Sequence, residues 1–256
     1  MHDFAGDVLT APNGAAHIFS VGQAGFIIKS AGGQLLAVDL YLSDSVERLE
    51  GHAGFKRLLP KILDPSELIF DAVICTHPHP DHFDPDSVPG LLACGKTKLL
   101  CSVDCGKLIS DLNMEQHSSR ITYVRPGDSF DIGDFHIDFV NCDHGDGAPD
   151  AVGVVVTVDG RRIYEAGDTC LRLDRVCEIR DIGDIDVLIA PINGAYGNLD
   201  EEDCVRLASE LRPGVTVPCH YGMFASHGGD VGKFYALMKD RALPFLLMRQ
   251  GERYTL

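Results

Sequence analysis

The segment CTHPHPDHFDP, Cys75–Pro85, packs three histidines and two aspartates into eight residues and follows each of the first two histidines with a proline. A residue before proline is driven out of helical space into an extended conformation, so Pro78 and Pro80 hold His77 and His79 extended. Alternate side chains of an extended chain point the same way, which turns both imidazoles to one side. The preceding run FDAVICT is apolar and rich in β-branched residues and reads as a buried strand ending at Thr76. The following DPDSVPGLLA has the chemistry of a helix start, with Asp84 as N-cap and Pro85 at the first helical position. The cluster is therefore expected on a turn between a strand's C-terminal end and a helix, the crevice where α/β proteins bind ligands.

Neutral imidazoles and carboxylates are the ligands of zinc and related first-row metals. His77, His79, Asp81 and His82, splayed by a turn, can serve two neighbouring ions. Such a centre needs more groups, and other strand ends supply them. FVNCDHGD ends a hairpin strand with His144, and VTVPCHYG ends a buried strand with His220. RRIYEAGDTC places Asp168 just after a strand, with Gly167 allowing a sharp bend. Each is an ordinary turn or strand-end residue by itself; the shared position makes them a set. His17, His52, His117 and His136 read as turn or strand-face residues without a ligand role.

At 256 residues, with no linker, low-complexity segment or short repeat, the chain reads as one domain, 1–256. Three short strands are expected in AAHIFSVGQAGFIIKSAGGQLLAVDLYLS, then a looser segment, then the strand and helix flanking the histidine cluster. KLLCSV is a strand and DCGKLISDLNM a helix capped by Asp104. The second half opens with a hairpin turning at Gly133-Asp134, then AVGVVVTV and RRIYEAG, then the buried strand DVLIAPIN. Helices capped by Asp200 and Asp230 flank the strand GVTVPCH, and PFLLMRQGERYTL closes the chain as strands. Each half runs strands first, then alternating strands and helices. An α/β fold of two mixed sheets packed face to face, with helices outside, would bury these faces.

The formal net charge of -16 repels nucleic acid phosphates, while bound cations can still attract a small anion. A small-molecule substrate is expected, and no nucleic acid. No apolar run is long enough to span a membrane, and the N-terminus shows no secretory pattern. Nine scattered cysteines without a C-x-x-C pair suit reduced thiols in a cytoplasm. Cys75, Cys142 and Cys219 lie close to candidate ligands in sequence but read as small core hydrophobes. Homo-oligomer formation is left open.

The order H-x-H-x-D-H, a lone histidine, GDT and a late histidine resembles the metallo-β-lactamase superfamily. Within it, GQAGFIIKS, DLYLSDSVERLEGHAGFKRLLP, APING and PCHYGMFASHGGD are similar to the L-ascorbate-6-phosphate lactonases and related metal-dependent hydrolases. The resemblance implies an αββα sandwich with the site at one edge. It implies two divalent ions, zinc or manganese with iron also compatible: one on His77, His79 and His144, the other on Asp81, His82 and His220, with Asp168 bridging. It implies hydrolysis by metal-activated water, with Asp81 and Asp168 as catalytic groups that orient it and take its proton, on a small sugar-derived lactone, phosphorylated or not. Phosphodiester or nuclease hydrolysis on the same site is the alternative. Asn193, Tyr221, His227, Lys56 and Arg57 are the candidate substrate contacts. The chain departs from that branch in DLYLSD for DPYLSD, in Glu165 where a neutral or histidine residue is usual, and in the short segment after PING. None of these changes touches a ligand.

Overall fold

The computed structural model describes residues 3–93 and 95–256. Its first sheet contains β1 (His17–Gly22), β2 (Gly25–Lys29), β3 (Leu35–Val38), β4 (Ala72–Cys75), β5 (Lys98–Ser102) and β6 (Ile121–Val124). The second contains β7 (Ser129–Ile132), β8 (Phe135–Asn141), β9 (Val152–Val158), β10 (Arg161–Glu165), β11 (Val187–Pro191) and β12 (Val215–Cys219). A last strand, β13 (Arg253–Thr255), returns to pair with β1, giving the orders β13-β1-β2-β3-β4-β5-β6 and β12-β11-β10-β9-β8-β7. The helices are α1 (Phe4–Thr10), α2 (Ser45–Glu50), α3 (Val88–Ala93), α4 (Gly106–Asp111), α5 (Val176–Ile182), α6 (Glu201–Leu211) and α7 (Val231–Asp240). No helix of the described residues is long and apolar enough to cross a membrane.

Strand periodicity sorts the side chains into layers. Ile18, Ile28, Val38 and Ile74 of the first sheet meet Ile137, Val154, Val156 and Ile189 of the second in one apolar core. The alternate residues of the first sheet, among them Phe19, Ile27 and Val73, are covered by Phe4 and Val8 of α1 and Leu91 of α3. On the far side, Val155, Tyr164 and Leu188 are covered by Ile179 of α5, Val205 of α6 and Phe234 of α7. Strands buried on both faces must be apolar throughout, as their sequences are. The result is the expected αββα sandwich of two mixed sheets.

Register determines where functional groups can sit. β3, β4 and β5 run parallel, with Val38 beside Ile74 and Cys75 beside Cys101. β10, β11 and β12 also run parallel, aligning Glu165 with Ile189 and Pro191 with Cys219. β8 is antiparallel to β9, which is antiparallel to β10, so β8 shares the direction of β10. The residues following β4, β8, β10 and β12 thus emerge at one edge.

Several local expectations are corrected. Asp200 and Asp230 cap their helices through side-chain bonds to Asp203 N and to Gly232 N and Lys233 N. Asp84 is not an N-cap, because α3 starts only at Val88. Its buried carboxylate instead accepts six bonds, from the backbone of Leu42, Ser43 and Asp86 and the hydroxyls of Ser43, Ser45 and Ser87. Asp104 likewise accepts from Asp150 N rather than capping α4, which begins after a short 3-10 turn. β6, α1, α2 and α5 arise where no element was expected. α1 is held by Lys29, whose ammonium donates to the carbonyls of Val8, Leu9 and Ala11 at the end of the helix. Of the final segment only β13 is a strand, with Phe245 making an isolated bridge to Thr216.

Asp84 ties the segment after β3 to the turn bearing the histidines. Asp84→Ala would leave several buried donors without an acceptor and is expected to cost about 3 kcal/mol or more. Urea unfolding should show a lower midpoint with an unchanged slope; an unshifted midpoint would show that water replaces the carboxylate without loss.

Candidate metal centre

After β4 the chain bends at residues 76–79 rather than running on extended, then closes a tight turn in which His82 N and Phe83 N donate to His79 O. That turn splits the cluster. His77 and His79 face one point, with His77 Nε2 3.0 Å from His79 Nδ1. His144, from the end of β8, brings its Nε2 to 3.0 Å from the same His79 Nδ1. Asp81 and His82 turn the other way, toward His220 from the end of β12, with His82 Nε2 3.2 Å from His220 Nε2 and 3.7 Å from Asp81 Oδ2.

Asp168, three residues beyond Glu165 at the end of β10, lies between the two groups. Its Oδ2 is 4.0 Å from His77 Nε2 and 3.7 Å from His144 Nε2. Its Oδ1 is 3.4 Å from His82 Nε2 and 2.8 Å from His220 Nε2. His77, His79, His144 and Asp168 form one group of convergent ligand atoms, and Asp81, His82 and His220 a second. No cysteine of the described residues joins either; Cys75, Cys142 and Cys219 are buried, and Cys142 donates its thiol to Asp168 O.

The donor set fits metal ions by its own chemistry. A proton on His79 Nδ1 could bond only one of the two imidazole nitrogens that lie 3.0 Å away, whereas a cation can accept all three lone pairs. Asp168 Oδ1 is buried and makes no well-aligned hydrogen bond with any described residue. The outer bonds also aim the lone pairs inward. Thr76 Oγ1 donates to Asp39 Oδ2 at 2.6 Å, so it accepts from His77 Nδ1 at 3.0 Å and leaves His77 Nε2 free to ligate. His82 Nδ1 donates to Asp39 Oδ2 at 2.7 Å, with the same consequence for His82 Nε2. Such carboxylate–imidazole contacts hold metal ligands in the required tautomer and orientation.

Burial holds His77 well below the ordinary imidazole range and lowers His79, and it pushes His144 down to about 4. These rings are neutral, as ligands must be. Burial also lowers His82, but Asp168 and Asp39 outweigh it and leave the ring well above its usual value. Burial raises Asp168, yet His220 and His82 hold it well below the carboxylate range. Without metal, the carboxylate is partnered by imidazolium.

Three residues were not recognised in the sequence as part of the centre. Asp39 follows β3 and is fully buried under the site. Gln23, in the β1–β2 turn, lies with its side-chain nitrogen 2.9 Å from Asp81 Oδ2 and 3.1 Å from His220 Nδ1. Asn198 donates to Asp168 Oδ2 at 2.8 Å and to Asn193 Oδ1 at 3.1 Å. The available signal was position, since each lies in a loop at the same sheet edge. Backbone strain marks the region as well. Five of the nine non-glycine residues with positive φ among those described, Gln23, Asp39, Tyr196, His220 and His227, surround the centre. The others fall in ordinary turns and helix ends. Such conformations cost of order 1–3 kcal/mol each and cluster at functional sites.

A cleft of about 230 Å³ opens onto the two ligand groups, and Asn193 and His227 line it. The other candidate substrate contacts lie elsewhere. Tyr221 donates its hydroxyl to Met248 O. Arg57 donates to Ser43 O and Leu59 O, sits 4.6 Å over the Tyr41 ring and borders a separate surface hollow. Lys56 is exposed outside the cleft. Glu165 is 2% exposed and has neither carboxyl oxygen bonded to a described residue. Burial, with Asp39 nearby, pushes it well above its ordinary value of 4.5, so the uncharged form occupies the position where a neutral residue was expected.

Two outcomes follow from these contacts. Asp39→Ala should weaken divalent metal binding by roughly 10–100-fold, read by competition with a chromophoric chelator; unchanged affinity would remove Asp39 from the centre's support. Glu165, protonated more readily when folded, contributes stability at acid pH that is lost as pH rises through its raised value. In the metal-free protein this contribution should fall as pH rises above 4.5, so that the melting temperature of Glu165→Gln declines less with rising pH than that of the unaltered protein. The depressed Asp168 acts oppositely and below 3.8.

Comparison with known proteins agrees with this architecture. Residues 17–220 match the family model described as beta-lactamase superfamily domain. A UPF0173 metal-dependent hydrolase of Anaeromyxobacter dehalogenans (strain 2CP-1 / ATCC BAA-258) is 27% identical over 244 residues, 91% of this chain and 84% of the relative. One from Symbiobacterium thermophilum is 30% identical over 188 residues, 72% of this chain and 81% of the relative. The solved structure of Igni18, a metallo hydrolase of Ignicoccus hospitalis, superposes with a TM-score of 0.71 at 22% identity, covering 94% of this chain and 98% of that one. The chain belongs to the metallo-β-lactamase superfamily, among its metal-dependent hydrolases.

Proposed function

We propose that the protein hydrolyses a small lactone or closely related carboxylic ester with two divalent ions, zinc or manganese by donor type, held by the seven residues of the two ligand groups. The observation carrying the reading is Asp168, which turns one oxygen toward His77 and His144 and the other toward His82 and His220. A carboxylate facing two ligand groups with separate oxygens is suited to bridging. When bound, the ions supply a water acidified to near-neutral pKa and a Lewis acid for the carbonyl oxygen.

The chain's residues do the rest. Asp81 is anchored by Gln23 at Oδ2 and keeps 16% of its side chain exposed at the cleft, where it can accept the attacking water's proton. Asn198 holds Asp168 in place from the opposite side. Because Asn193 Oδ1 accepts from Asn198, the Asn193 amide nitrogen is the part available to donate to the carbonyl oxygen as charge develops on it. A lactone suits the site because its leaving alkoxide stays tethered and needs only a weak proton donor. No lysine or arginine lines the cleft among the described residues, and the net charge is -16; both disfavour a phosphodiester backbone.

Ring opening followed by pH-stat over a set of lactones, beside linear and cyclic phosphodiesters, tests the reaction. Lactones are expected to be opened; phosphodiester cleavage with every lactone inert at the same metal loading would overturn the reading. Asp168→Asn should lower turnover by about three orders of magnitude or more and bring bound metal from two ions toward one. Near-normal turnover in a folded Asp168→Asn protein would place the bridge elsewhere.

A further inference from the structure

We propose that the cleft is specific for an uncharged substrate bearing a flat apolar group, an aromatic ring above all, next to the bond that is cleaved. This rests on the hydrolytic reading of the metal centre and names the substrate class for it. Opposite the polar floor stands a wall of Phe55, Tyr196, Phe224 and His227, with Val46 and Pro80 beside it. Phe55 stacks on His227 with centroids 4.6 Å apart and planes at 30°. Tyr196 meets His227 edge-on at 5.5 Å, and Phe224 meets Phe55 at 5.4 Å and 85°. These are favoured aromatic geometries, and they hold the wall in shape before anything binds. His227 is further oriented by the bond of its Nε2 to Ala53 O.

Tyr196 is the informative member. Its φ is 55°, in the left-handed region, and its neighbours Gly194 and Gly197 share positive φ. A bulky residue in that conformation is an outlier. Yet the ring is 62% exposed, so core packing does not account for its position. The strained turn instead sets a large aromatic surface at the mouth of a cleft whose floor is the metal centre. His227, with φ 64°, repeats the pattern on the facing loop.

Charge points the same way. Among the described residues Glu50 is the one charged cleft residue outside the ligand groups, histidine aside, and it repels an anionic substituent. Arg57, the cation nearest in sequence to this wall apart from Lys56, has its guanidinium bonded to backbone carbonyls and stacked on Tyr41. A phosphorylated substituent would meet an aromatic wall and a carboxylate, with no lysine or arginine among the described lining residues to receive it. An uncharged ring would bury apolar area against the wall and offer a face to Tyr196.

The test uses the metal-loaded protein with γ-phenyl-γ-butyrolactone, its γ-methyl analogue and a phosphorylated sugar lactone. A non-hydrolysable γ-phenyl lactam is titrated in parallel by ligand-observed NMR. The phenyl lactone should be preferred over the methyl by about tenfold or more in kcat/KM, a typical return for one aromatic contact. Tyr196→Ala should bring that ratio within about threefold and weaken the lactam by about tenfold, while Tyr196→Phe should preserve both, because the ring rather than the hydroxyl is at work. Equal rates on both lactones, preference for the phosphorylated one, or a ratio and lactam affinity indifferent to Tyr196→Ala would overturn the proposal. Lactam binding that depends on Tyr196 while no lactone is opened would uphold the wall and refute the lactonase reaction. Opening of lactones without lactam binding would do the reverse.

Discussion

Five imidazoles converge on the carboxylate of Asp168, and their nitrogens lie close enough together that protons alone cannot satisfy them. His77, His82, His144 and His220 are almost wholly buried. Burying groups of this kind is unfavourable unless each finds a partner. In the absence of metal the site falls back on the ion pair between Asp168 and His82, which accounts for their opposed displacements. Divalent ions would remove the conflict by accepting the inward lone pairs together. The two-group arrangement follows, because the turn after His79 sends its ligands to opposite sides of one carboxylate.

Much of the surrounding structure holds that convergence in place. Asp39 links His82, the Thr76 hydroxyl and the Thr76 amide at the end of β4. Asp84 links the other end of the histidine turn to the segment after β3. Gln23 and Asn198 do the same for His220, Asp81 and Asp168 from two further loops. The positive-φ residues gathered here belong to the same device. Strained backbone persists only where neighbouring contacts over-determine it, and the dense bonding around the centre supplies those contacts.

The molecule is strongly acidic, yet the cleft beside the centre is walled by aromatic rings rather than by charge. Surface charge governs what approaches; the lining governs what stays. A long polyanion is discouraged by the first, and a small anion finds no lysine or arginine in the second among the described residues. What remains attractive is apolar surface, with the polar floor left for the reacting bond.

How much of this was legible in the sequence depended on the range of the forces involved. The strand runs and the aspartate caps at Asp200 and Asp230 act between residues a few positions apart, so they could be read directly. The seven candidate ligands could be named because each sits at a strand end in a recognisable pattern. Asp84 misled that reading, since an aspartate before proline looks like a cap, and only the chain passing over it from residues 42–45 showed it to be a hub. Asp39, Gln23 and Asn198 carried no local mark; the ligand residues they bond are 30 to 197 residues away. Arg57 and Tyr221, chemically plausible as substrate contacts, were drawn into backbone bonds by neighbours that tertiary packing supplied. The sequence by itself determined the two-sheet plan and the chemistry available at one edge, because side-chain period and turn propensity are local. Tertiary structure alone decided which groups face one another, which are engaged elsewhere and what lines the cleft, because those outcomes depend on sheet register and loop approach, and no short stretch encodes either.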